Sequence, residues 1–404
     1  MAKDVHPPRG MRDFLPVEKL KRDIVLGTIR GTYLSHGFQE IETPALEDID
    51  RLTSGQGGDN EKLAFRVMKR GEELERALVG NTDESVDQLA DLGLRYDLTV
   101  PLTRYYATNR SKLPKIFKAI QTGPVWRAER PQKGRYRQFI QCDIDIIGDS
   151  SVLAEIDILV SSLEALDSIH LSDAIIRVNH RVLLANLLEG LGIPEDGKPA
   201  AMIIIDKLDK IGIDGVAGEL AEKFGESVGN KAKSWLSKID ATEIPAVLKP
   251  IWDGLGERSK SLRFDPTLVR GMGYYTGSIF EIEHPGSGSS IGGGGRYDGM
   301  VGKWLGTDAP AVGISLGIER IVDLIPQSSA SQDAVVLILE PDTQALALGL
   351  QQKLIARGKT VRLEQRPKNL KALLEQLADN GYREFAIVGK EVSDLAQLDF
   401  KQIG

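Results

Sequence analysis

Apolar residues recur at helical spacing between Lys19 and Ser35, at Leu20, Ile24, Val25, Ile29, Tyr33 and Leu34, and the GFQEIETPALED that follows reads as a strand broken at Pro44. Strand character returns at Leu94 to Arg95, Ala119 to Ala128 and Gln138 to Gly148, and a helical pattern runs from Val152 to Ile169. Strands in series, rather than in regular β-α-β alternation, predict an α+β arrangement. Asn179 is placed to cap a helix over Arg181 to Leu191, and GIPEDGKPA breaks the chain after it. Helical pattern then continues to about Arg258, with Trp235 and Trp252 expected in a small core of their own. Leu268 to Ile282 reads as a strand, followed by a glycine cluster, another strand-like piece and a helix from about Leu316 to Leu324. The helical stretch at about 195–260 therefore reads as an insertion in a sheet domain spanning 1–325. Residues 326–332 form a polar linker by composition, and AVVLILE, TVRLE and EFAIVG alternate with two helical stretches as a small α/β domain over 333–404.

Composition narrows the class. The 404 residues, 41% hydrophobic and 27% charged, suffice for two or three cores. No run approaches the ~20 apolar residues of a membrane span, and MAKDVHPPRG is no apolar leader, so the expected location is cytoplasmic with no membrane partner. Cys142 stands alone and cannot form an internal disulfide, and the histidines at 6, 36, 170, 180 and 284 lack metal-ligand spacing, which argues against a structural zinc site. A net charge of -7 disfavours nucleic acid on average, but a polyanion meets the local charge.

Three segments carry candidate chemistry. Gln121 to Gly148 places Arg127, Arg130, Lys133, Arg135 and Arg137 on and around a loop between two strands. With a period of two, Gln141, Asp143 and Asp145 share one face of the second strand, and Cys142, Ile144 and Ile146 share the apolar one. Taken alone, that segment is more often a solvated hairpin. LVRGMGYYTGSIFEI combines Arg270 with two tyrosines and three glycines, whose repetition in a strand suggests close approach of a ligand or backbone; bulges in an ordinary hairpin are the plainer account. SIGGGGRYDGM resembles a flexible linker by composition, yet it passes abruptly into RYDG and the apolar GISLGIERIV, as a strand beside a site would.

In order and spacing these segments resemble the histidyl-tRNA synthetases, a class II aminoacyl-tRNA synthetase family. The first helix and strand, to about Pro44, resemble motif 1, WRAERPQKGRYRQFIQ motif 2 and AVGISLGIER motif 3. LVRGMGYYTG and GGGGRYDG resemble the two signatures peculiar to the histidine enzymes, and LRYDLTVPLTRY is also family-like. The resemblance implies a class II antiparallel-sheet catalytic domain with a helical insertion, then a small α/β anticodon-binding domain. It implies activation of L-histidine by ATP, transfer to histidine tRNA, magnesium (Mg2+) with the nucleotide, and a homodimer through motif 1. Arg127 and Arg320 match the ATP-phosphate arginines, Glu129 a residue near the adenine amino group or metal, and Arg270 an arginine against the α-phosphate. Asp145 and Tyr275 match the residues for the two ring nitrogens of histidine, and Asp97, Thr99 and Gln141 those for its α-ammonium group. Tyr274 and Tyr297 are expected to line the pocket, and Arg130, Lys133, Arg135 and Arg137 to meet the acceptor end of the tRNA. Two features depart from the family pattern: Gly273 stands where the histidine signature has an acidic residue, and the C-terminal domain is short, ending abruptly at IG, so its last element is expected to be trimmed; in addition, aspartates at 97 and 145 stand where many relatives have glutamates.

The C-terminal stretch Arg357 to Lys371 carries six basic residues against Glu364 alone, a candidate face for the anticodon arm that a solvated helix surface explains nearly as well. The main rival is a catalytically inactive, histidine-binding paralogue that regulates an ATP phosphoribosyltransferase. Such subunits lack the C-terminal domain and usually the arginine-bearing signature, both of which this chain has. A synthetase-like sensor attached to a kinase would need a kinase sequence, and none is present.

Overall fold

The computed structural model describes residues 5–53, 63–79, 86–131, 134–239, 243–270, 274–326 and 334–403. Contacts divide the chain into one unit of Met1–Arg12 with Val25–Ile325 and another of Asp13–Ile24 with Pro326–Gly404.

The larger unit is built on an eight-stranded sheet, in the order Gln39–Ile41, Phe117–Trp126, Gln138–Ile147, Ala311–Gly317, Gly292–Arg296, Ser278–Glu283, Ile175–His180 and Leu262–Phe264. The interior pairings are antiparallel and only the two edge strands run parallel to their neighbours. The break at Pro44 has a structural meaning: Gln39–Ile41 joins this sheet, whereas Leu46–Asp48 pairs with Ala90–Leu94 in a separate three-stranded sheet. Period-two alternation sorts the centre of the large sheet into faces. Cys142, Ile144 and Ile146 join one core cluster with Ile158, Leu159 and Ile314, and with Val25, Ile29 and Tyr33 of the first helix, beneath the helix Leu153–Ser168. Gln141, Asp143 and Asp145 take the other face, where register sets Asp143 between Gln121 and Ser315, and Asp145 between Ala119 and Gly313.

Three expectations from the sequence need correction, whereas the glycine cluster is a strand, as its abrupt change into RYDG suggested: Gly292–Arg296 is interior to the sheet and hydrogen-bonded on both sides. Side chains are excluded there: a Cβ on Gly294 would lie 1.9 Å from the Gly313 carbonyl oxygen. The strand expected from Leu268 begins only at Ser278. Side chains take the place of a ladder partner ahead of it, with Asn179 Nδ2 donating to the Leu268 carbonyl at 3.1 Å and Arg181 to that of Arg270 at 3.3 Å. Asn179 is thereby used, and His180 caps the helix Arg181–Leu191 instead, its Nδ1 accepting from the Val182 amide at 3.1 Å. Finally, the insertion has no core of its own. Trp252 packs on the cluster under the sheet, and Trp235 on a second cluster in which Val216, Leu220 and Val228 join Leu52, Tyr96 and Tyr297.

In the second unit a four-stranded sheet runs Thr360–Gln365, Ala334–Leu339, Glu384–Val388 and Lys401–Gln402, the first three parallel and the last antiparallel. Its central strand is buried at every position, as an apolar run between two layers requires. Helices Gln344–Ile355 and Leu370–Asp379 accompany it.

Candidate active site

The polar face of the large sheet forms the floor of a cavity of about 650 Å³. Eleven of the residues singled out for ATP and histidine line it: Asp97, Thr99, Arg127, Glu129, Gln141, Asp145, Arg270, Tyr274, Tyr275, Tyr297 and Arg320. Arg135 of the basic loop joins them, whereas Arg130 is exposed and does not line the cavity. Arg137 serves the loop itself, its Nε donating to the Glu129 carbonyl at 3.0 Å and its amide to that of Gly10 at 2.8 Å. Lys133 and Gly273 lie outside the described residues.

Arginines line the cavity. Arg127 leaves the end of its strand with Nε donating to the Tyr96 carbonyl at 3.0 Å, and its guanidinium lies over the Phe139 ring. Arg320, on the helix Ile318–Leu324, donates from Nε to the Gly134 carbonyl at 3.0 Å and from Nη1 to that of Ser290 at 2.5 Å. Arg270 pairs with Glu281 at 2.9 Å and lies over the bare glycine strand, so a Cβ on Gly293 would meet its guanidinium at 2.6 Å. Burial and then the charges of Arg135 and Arg127 hold Arg320 below its ordinary pKa, with Arg270 adding to the effect. These cations thus share one field, as a polyphosphate site requires.

Buried carboxyls line the same cavity. Burial is the first cause of raised carboxyl pKa values there, taking Asp97 to about 6 and Asp145 to about 7 and Asp143 well above the ordinary range. The Val100 amide donates to Asp97 at 3.1 Å and the Tyr297 hydroxyl to Asp145 at 2.5 Å, each favouring ionisation of its acceptor. Tyr274 packs edge-on to Tyr275 and Tyr297, at centroid distances of 4.8 and 6.0 Å.

Several lining residues were not found in the sequence. Glu281 bridges Arg270 and Arg177, and strand alternation in SIFEIE, with Phe280 and Ile282 in the core, is the signal that would have found it. Ser315 would have followed from its register opposite Asp143. Asp206, Leu208, Asp209 and Lys210 of the insertion also line the cavity, which the reading of the insertion as a separate unit concealed.

A protein-family model described as histidyl-tRNA synthetase matches residues 10–321, well over half the chain. The chain belongs to the histidyl-tRNA synthetase family. A histidine–tRNA ligase from Leifsonia xyli subsp. xyli is 49% identical over 100% of this chain and 99% of its own length. A crystal structure of histidyl-tRNA synthetase from Nostoc sp. PCC 7120 matches with a TM-score of 0.76 at 26% identity, covering 99% of this chain and 97% of that one. A protein described as an ATP phosphoribosyltransferase regulatory subunit/histidyl-tRNA synthetase, from Bacillus halodurans C, matches with a TM-score of 0.74 at 20% identity, covering 96% of this chain and 99% of that one. At that identity the likeness concerns the fold alone, so fold does not separate enzyme from regulator. The class II architecture is that of the family.

Proposed function

We propose that the protein is a histidine–tRNA ligase that joins L-histidine to ATP as histidyl-adenylate and then passes the histidyl group to the 3′ end of histidine tRNA. One observation carries this reading: a single cavity is lined both by arginines and by buried carboxyls with tyrosines, matching a polyphosphate and a small cationic amino acid. The substrate carboxylate is ionised at neutral pH and needs no general base. Its oxygen attacks the α-phosphorus, and pyrophosphate leaves. Charge neutralisation and alignment are what the protein must supply. Arg270 is assigned to the α-phosphate and Arg127 and Arg320 to the remaining phosphates, with Glu129 toward the adenine amino group or the metal. Asp145 and Tyr275 are assigned to the imidazole nitrogens, and Asp97, Thr99 and Gln141 to the ammonium group, with Tyr274 and Tyr297 as walls. In the second step a terminal ribose hydroxyl of the tRNA attacks the carbonyl carbon, and AMP leaves.

Among the described residues no group of three histidine, cysteine or acidic side chains gathers as a metal site. Glu129 and Glu319, which line the cavity, would hold a divalent cation brought with the nucleotide. Magnesium would supply further neutralisation of phosphate charge there. Arg130, Lys133, Arg135 and Arg137 are assigned to the tRNA acceptor end, residues 333–404 to the anticodon arm, the insertion at 195–260 to the catalytic domain, and motif 1 to a homodimer in the cytoplasm. Among the described residues no helix is long and apolar enough to cross a membrane. Retention of Arg270 and Tyr275 favours the enzyme over the regulatory paralogue.

The direct test offers total tRNA with each labelled amino acid in turn. Acid-precipitable counts with histidine alone are expected. Charging with a different amino acid, or none in the presence of histidine tRNA, would overturn the reading.

A further inference from the structure

The cavity floor holds three buried side-chain oxygens without hydrogen-bond partners. Asp97 is 2% exposed, Asp143 3% and Gln141 7%, and each lines the cavity. Yet Asp97 Oδ2, Gln141 Oε1 and Asp143 Oδ1 have no hydrogen-bond partner. A buried acceptor without a donor costs free energy, and buried polar atoms are paired as a rule, so three such atoms in one cavity point to a missing donor group. The rest of each side chain is already held. Gln141 donates through Nε2 to the Ser315 hydroxyl oxygen, which leaves the Ser315 hydrogen free for Asp143. Asp97 Oδ1 accepts from the Val100 amide. Thr99, the residue expected alongside Asp97 and Gln141, has its hydroxyl bonded to Tyr274.

A primary ammonium group has three N–H donors. We propose that Asp143 is a further substrate-binding residue, supplying the third acceptor for the α-ammonium group of histidine beside Asp97 and Gln141. This rests on the reading of the cavity as a histidine site and adds a residue to it. The ionisable groups facing Asp143 are Asp145 on its own strand, Asp97 and Arg95 from one neighbouring segment, Arg127 from the strand end, and Tyr275. Behind the strand, burial keeps the Cys142 thiol and the Tyr33 hydroxyl protonated. Burial and then the neighbouring Asp145 shift the Asp143 carboxyl of the empty site toward its protonated form. An arriving ammonium reverses that preference. The carboxyl O–H bond breaks, its proton passes to solvent, and the carboxylate and ammonium form an ion pair. Asp143 thus couples amino-acid binding to release of a proton, and it selects for a charged α-amino group rather than for the ring.

The test uses the full chain and two probes, L-histidine and imidazolepropionate, which is histidine without its amino group. Calorimetric titrations near neutral pH, in two buffers of different ionisation enthalpy, give affinity and proton release together. The wild type is expected to release more protons with histidine than with imidazolepropionate, since ring contributions cancel between the probes. In Asp143→Asn that difference is expected to shrink, and the preference for histidine over imidazolepropionate to fall by about tenfold or more. Equal proton release for the two probes in the wild type would overturn the proposal even if the variant did not fold. So would an unchanged preference in a folded variant. A wild type that binds neither probe would instead sink the histidine-site reading itself.

Discussion

Among single residues, Arg270 and Asp145 support the account most directly. Arg270 lies over Gly293 with one partner, Glu281, and faces the cavity. Arg270→Ala is expected to slow histidyl-adenylate formation by about a hundredfold, the usual cost of one charge-stabilising group, with folding intact. Rapid-quench measurement of adenylate checks it, and a near-normal rate would remove Arg270 from the α-phosphate. Asp145 gives a pH prediction. Its folded-state pKa of about 7 lies above the ordinary 3.8, so the native carboxyl keeps a proton that the unfolded chain has released. The contribution to stability is fully present below the unfolded pKa and is lost as pH rises toward about 7. Relative to wild type, the melting temperature of ligand-free Asp145→Asn should therefore climb between about pH 4 and 7 and level off above. A difference independent of pH in calorimetric scans would contradict the burial argument.

Among the elements, the central strands decide the site's shape. Gly313 faces Asp145 in register, and a Cβ there would lie 1.8 Å from the carboxylate oxygen, whereas one on Gly317 would meet nothing nearer than 3.5 Å. Gly313→Ala is expected to weaken histidine binding at least about tenfold by displacing a buried charged acceptor, with Gly317→Ala close to wild type. Titration calorimetry with histidine compares the two, and equal affinities would show that the floor tolerates a methyl group. Much of this element was legible in the sequence. Period two alone separates Gln141, Asp143 and Asp145 from Cys142, Ile144 and Ile146, and Pro44 marks the point where the chain changes sheets. The glycine strand was harder to read, because local composition reports backbone freedom while the strand is imposed by neighbours on both sides. The loop at Leu268–Arg270 was hidden for a related reason. Its backbone is held by Asn179 and Arg181, some ninety positions earlier in the chain, a pairing that no local pattern encodes.

For the whole molecule, the proposal assigns chemistry to the larger unit and tRNA grip to residues 333–404. Within the C-terminal basic stretch, Arg362 pairs with Glu364 and Arg366 with Glu340, so its attraction for phosphate is weaker than the sequence count implies. A chain ending near Gln327 is still expected to form histidyl-adenylate while its tRNA affinity falls and becomes less sensitive to salt, because fewer phosphates are neutralised. Filter-binding titrations at several salt concentrations would reveal this, and an unchanged slope would remove the C-terminal domain from tRNA binding. Leu34, 49% exposed, lies on the motif 1 helix and suits the homodimer that the proposal includes. Sedimentation that gives 44.2 kDa for a fully active species would contradict the dimer. The central claim, that one cavity joins ATP to histidine, is tested most directly by exchange of labelled pyrophosphate into ATP without tRNA. The account predicts exchange that requires histidine, is not supported by other amino acids and is lost in Arg270→Ala. Exchange supported equally by other amino acids, or none with histidine at saturating ATP and magnesium, would contradict it.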